Sequence, residues 1–142
     1  MILYLHEIFD EFEKLTTRDQ RINHLRKHCY TNQYKDYFRC AFDPKIKMIF
    51  KIPQYRPALE PEGLTYSYLH NEMDRIYLFL EGHPKCPSGL TDEKRESILK
   101  SMLESIHKRE AELLISMFKK KLEIKFLTPK LISEAFPDVR FD

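Results

Sequence analysis

The chain has 142 residues, of which 42% are hydrophobic and 13% aromatic, too apolar for a disordered chain and enough to bury a core without staples. The formal net charge is only +2, and no apolar run approaches the roughly 20 residues that a membrane-spanning helix needs. Three cysteines, Cys29, Cys40 and Cys86, form neither an even framework nor a C-x-x-C pair, which predicts reduced thiols in a cytosol. The opening residues lack the basic and small-residue signals of a secretory leader, and one domain over residues 1–142 in the host cytoplasm is the expectation.

Taken in chain order, the dominant period is helical. Leu5, Ile8, Phe9, Phe12 and Leu15 recur at three and four and make one face of a first helix, with acids on the other. Thr17 and Gln20 have the spacing of a capping box and open a second helix to about Cys29, packed by Ile22 and Leu25. Tyr34, Tyr37, Phe38, Ala41 and Phe42 define an aromatic third helix, read as core, that stops near Asp43-Pro44. Ile46 to Phe50 fits either a short helix or an extended piece, and a short hairpin near residues 45–55 is an option. Pro53, Pro57 and Pro61 exclude regular structure over residues 52–63, which reads as an ordered loop anchored by Tyr55 and Leu59. A fourth helix is expected from a Thr65 cap through Leu69, Met73, Ile76, Tyr77 and Leu80, closed by Gly82. A second loop over residues 83–90 leads to Thr91, which caps a fifth helix packed by Ile98, Leu99, Met102, Leu103 and Ile106. Ala111, Leu114, Ile115 and Phe118 form a sixth, and Leu131, Ile132 and Ala135 a short seventh with Pro129 at its first position. The fold class is all-α, a single multi-helix domain of about six to seven helices.

Charge is unevenly spread. Residues 18–58 carry ten Lys/Arg against three Asp/Glu, whereas residues 59–113 carry seven against eleven. Two basic groups stand out as candidates for a polyanion. Lys119, Lys120 and Lys121 end the sixth helix, and Lys125, Thr128 and Lys130 surround the start of the seventh, where backbone N–H groups can receive phosphate. Arg39, Lys45, Lys47 and Lys51, with Arg56, form the second group. The three lysines also complement a helix macrodipole, a purely structural role.

Other chemistry finds less support. His24 and His28 have the i, i+4 spacing of metal ligands, but no acid accompanies them in the H-E-x-x-H manner, so they are read as surface histidines. His83 and Cys86 give two ligands at most. With only Gly63, Gly82 and Gly89 available, no Walker loop, dinucleotide turn or nucleophile elbow is built. The expectation is no catalytic residue, no metal, no cofactor and no small-molecule substrate.

The order of elements, from Leu5-His6-Glu7-Ile8-Phe9 through Arg18 to Leu25, then Leu113 to Leu122 and Leu131-Ile132-Ser133-Glu134-Ala135-Phe136-Pro137, resembles the N-terminal DNA-binding domain of ATP-dependent DNA ligases of T-even phage type. The chain also looks like a family of small tailed-phage proteins without an assigned activity. The ligase resemblance implies a helical domain that grips duplex DNA, nicked DNA included, through the backbone across the minor groove. Lys119, Lys120, Lys121, Lys125, Thr128 and Lys130 occupy the matching positions. Two departures matter: Ile124-Lys125 stands where the ligase pattern has glycine, and no Lys-x-Asp-Gly adenylation motif is present, so ligation by this chain alone is not expected. The leading expectation is a stand-alone duplex-DNA-binding phage protein. The alternative is a protein-interaction module that binds a host or phage partner, with Tyr55 and Leu59 as anchors.

Overall fold

The computed structural model describes residues 3–61 and 63–141, which form an all-α arrangement. Its helices are α1 (Leu5–Lys14), α2 (Arg18–His28), α3 (Asn32–Phe42), α4 (Leu69–Glu72), α5 (Asp92–Ser105), α6 (Lys108–Lys119) and α7 (Pro129–Ala135). A 3-10 segment, Met73–Phe79, continues α4. Among the described residues no helix is long and apolar enough to cross a membrane.

The periodic positions find their places. Leu5, Ile8, Phe9 and Phe12 bury one stripe of α1 against Tyr37 and Phe38 of α3 and against α6, whose Ala111, Leu114, Met117 and Phe118 are all buried. Phe9 lies 6.5 Å from the Tyr37 ring and 6.4 Å from the Phe38 ring, so the aromatics of α3 are core, as expected. Each such side chain stabilises the fold by about 1.5–3 kcal/mol through burial. The predicted capping box at α2 forms, with the Gln20 N–H donating to Thr17 Oγ1 at 3.2 Å and the Thr17 N–H to Gln20 Oε1 at 3.3 Å.

α2 itself buries only Leu25 fully, too little apolar area to hold an outer helix. Polar ties supply the rest. Arg26 donates to the carbonyls of Ala135 at 2.9 Å and Glu134 at 3.0 Å, capping the end of α7, while Arg18 pairs with Glu134 at 2.7 Å.

Three sequence expectations need correction. Residues 45–55 form no hairpin: Met48 pairs instead with Leu80, the Ile49 N–H donating to the Phe79 carbonyl at 2.7 Å and the Glu81 N–H to the Lys47 carbonyl at 2.9 Å. Leu59 does not anchor the loop to the core but is 91% exposed; Ala58 pairs with His107, and along extended chain the next side chain points the other way. Tyr55 does pack against the core. The fourth helix begins at Leu69 rather than after Thr65, whose hydroxyl is occupied by the Tyr4 hydroxyl at 2.8 Å and the Ser67 carbonyl at 3.0 Å. It then tightens, because Met73, Ile76 and Phe79 bury at a spacing of three, the period of a 3-10 helix.

One buried carboxylate organises three helix starts. Glu110 lies in the first turn of α6, its Oε2 accepts the Leu5 N–H of α1 at 2.8 Å, and its Oε1 accepts the Leu69 N–H of α4 at 3.0 Å. Burial pushes its pKa up to about 7, against the pull of the two backbone donors.

Candidate nucleic-acid interface

α3 and α6 run parallel, tied by the Tyr37 hydroxyl donating to the Leu113 carbonyl at 2.8 Å, so their C-terminal ends lie together. α6 closes with a Schellman turn in which the Lys121 N–H donates to the Ser116 carbonyl at 2.9 Å and the Lys120 N–H to the Met117 carbonyl at 3.1 Å. Lys120 takes the left-handed position of that turn at φ 53°. Its Nζ reaches across to the carbonyls of Cys40 at 2.6 Å and Asp43 at 2.8 Å, the open end of α3. Burial lowers the Lys120 pKa from its ordinary value. Lys120 is therefore a tie between two helices, and its ammonium is not presented to solvent as the sequence suggested.

The tie brings members of the two basic groups together. Lys119 and Lys121 flank Lys120 on the surface, and Lys47 is near enough for its charge to bear on Lys120. Lys45 is exposed on the same short connection, and the Phe50 ring lies 5.2 Å from that of Phe118, near the end of α6. Lys130 lines a shallow groove with Ser133, Arg140 and Phe141, and the Phe141 ring meets Phe42, the last residue of α3, edge-on at 6.1 Å. Arg140 joins the candidates although nothing in its sequence setting singled it out; it is a lone arginine beyond α7. Among the described residues Lys47, Lys119, Lys121, Lys130 and Arg140 make no ion pair.

The remaining candidates stand apart. Arg39 is held by Asp36 at 2.9 Å and by the Asp138 carbonyl at 3.4 Å, and Lys51 faces Glu96 at 3.7 Å. Lys125 belongs to a turn beside α1, where its backbone N–H donates to Glu13 Oε2 at 2.9 Å. Its ammonium sits 5.1 Å from the centre of the Phe126 ring, which also carries the Arg21 guanidinium at 3.7 Å. Thr128 uses its hydroxyl to accept the Leu131 N–H at 3.2 Å, so the start of α7 is already capped from within the chain.

The surface this leaves is an edge of cations set over two helix C-termini. Part of their field is spent on the negative helix ends, and the excess faces solvent. The chemistry open to such an edge is attraction of a polyanion by charge, with little base specificity. The groove of about 370 Å³ between α3 and the 3-10 segment is a poorer anion seat, because Asp36 and Asp74 line it.

Residues 8–124 match a family of unknown function (DUF6433), and the chain belongs to that family. The match runs from α1 past the lysines that end α6. No curated protein and no solved structure matches the chain.

Proposed function

We propose that this is a non-catalytic phage protein that binds duplex DNA through the phosphate backbone, with the edge formed by Lys47, Lys119, Lys121, Lys130 and Arg140 as its contact surface. The observation that carries the reading is the convergence of two basic segments, distant in sequence, at the paired ends of α3 and α6. The resemblance to the ligase DNA-binding domain adds the minor-groove approach and a preference for nicked duplex. Fluorescence-anisotropy titration with intact, nicked and single-stranded DNA at several salt concentrations tests it. Binding to duplex is expected to weaken by about one power of salt per phosphate contact. The Lys47→Ala/Lys119→Ala/Lys121→Ala variant should bind every duplex sequence more weakly by a similar factor. No binding at low salt, or unchanged affinity in that variant, refutes the proposal.

A second reading has its own observation. Leu59, Leu64 and Tyr66 are 91%, 69% and 93% exposed on the proline-rich loop, beside an acidic stretch, which suits an anchor for a host or phage protein with a basic surface. Tyr55 is packed inward and is not part of that anchor. Loss of a co-purifying partner on Leu59→Ser/Tyr66→Ser, in a protein that never binds DNA, would favour this reading.

A further inference from the structure

We propose that Glu11, His24 and His28 form a binding site for a borderline divalent cation of the zinc class, bridging α1 and α2. In the sequence the two histidines lacked an acid. The helical hairpin supplies one: the short turn Leu15–Thr17 folds α2 back along α1 and brings Glu11 opposite the His24–His28 pair. One ligand atom from each of the three residues lies within 4.8 Å of the other two. Tetrahedral coordination at zinc–nitrogen and zinc–oxygen distances of about 2.0–2.2 Å needs donors roughly 3.4 Å apart. Glu11 is exposed and both imidazoles are half-buried, so side-chain rotation on binding has to close the difference.

An independent feature points the same way. The Ile8 carbonyl lies 2.8 Å from His24 Nε2 and accepts its proton, which fixes the ring and leaves the lone pair on Nδ1. A backbone carbonyl holding the second nitrogen is the support that metal-binding histidines characteristically have. The His28 ring stands edge-on to that of His24, centroids 4.7 Å apart, so the two imidazoles are adjacent across one helical turn. The donor set of two nitrogens and one oxygen suits Zn²⁺, Co²⁺ or Ni²⁺ and disfavours Mg²⁺ and Ca²⁺, which prefer oxygen. Three protein ligands leave the fourth position to water. The ion would clamp α1 to α2, a helix in which Leu25 alone is fully buried.

The test is calorimetric titration of the chelator-stripped, full-length protein with ZnCl₂ and, separately, MgCl₂, together with the visible spectrum on adding CoCl₂. One equivalent of Zn²⁺ should bind, raise Tm by several degrees and find no counterpart with Mg²⁺. The Co²⁺ form should show ligand-field bands that are lost in Glu11→Gln and His28→Gln. Each of those variants should bind Zn²⁺ at least about tenfold more weakly while keeping the wild-type circular dichroism spectrum. His24→Ala is a poorer probe, since it also removes the Ile8 contact. Failure of the wild-type protein to bind Zn²⁺, or equal binding by both Gln variants, with the ion then assigned to His83 and Cys86, overturns the proposal.

Discussion

Lys120 occupies a backbone conformation that glycine usually fills, and the two carbonyls at the end of α3 are what keep a lysine there. Lys120→Ala removes the tie and retains the strain, whereas Lys120→Gly removes both. Urea unfolding should show both variants destabilised, Ala by about 1–3 kcal/mol and Gly by about 1 kcal/mol less. Folded Lys120→Ala should keep most of its duplex affinity, which separates a tie from a contact. The run Lys119-Lys120-Lys121 was legible as a basic cluster, but which of the three turns inward depends on where α3 ends, a tertiary fact. Glu110 gives a pH signature. Its folded pKa stands above the ordinary carboxyl value, so its contribution is complete below that value and is lost as pH rises through about 7. Between about pH 5 and 8 the stability of the wild type relative to Glu110→Gln should fall, by at most about 3 kcal/mol, as followed by urea midpoints. Glu110→Ala, which orphans two N–H groups, should cost about 2–5 kcal/mol near pH 5 and less as pH rises through about 7.

At the scale of elements, α1 and α6 were readable from their apolar period, and α2, α3, α5 and α7 because each adds a local stop or start: Thr17 with Gln20, Asp43-Pro44, Thr91 and Pro129. The segment after residue 65 was not, because its cap comes from Glu110, far along the chain, and because a spacing of three was taken for part of a spacing of 3.6. The anchor expected at Leu59 failed for a similar reason: a proline-rich loop has no internal period, and only its pairing with His107 decides which side faces in. α7 depends on α2 through Arg26, a residue that reads as surface in the sequence. Arg26→Ala should cost about 1–3 kcal/mol, since it takes away charge-assisted bonds to two helix-end carbonyls. Hydrogen exchange should localise the loss, with amides of Pro129–Ala135 exchanging faster while those of α6 stay protected.

For the molecule as a whole, the proposed grip is a property of charge placement at near-zero net charge. If phosphates are held by the cations at the α3–α6 edge, each lysine replaced should reduce the slope of log affinity against log salt by about 0.9, whatever the sequence bound. Lys125→Ala, on the turn beside α1, should change that slope least. The sequence showed two basic groups but could not say which members come close, because the link is the Lys120 side chain reaching the backbone at the end of α3. The carboxylate shared by three helix starts has a temporal consequence. Leu5 waits for an acceptor 105 positions downstream, and Leu69 for the same group 41 positions on. A ribosome delivers α1 first, yet the Leu5 N–H can trade water for its buried acceptor only once α6 has emerged. Nascent chains halted before Glu110 should therefore be cut by protease within α1 and around Leu69 more readily than the complete chain, and burial of the first helix start waits on the sixth helix.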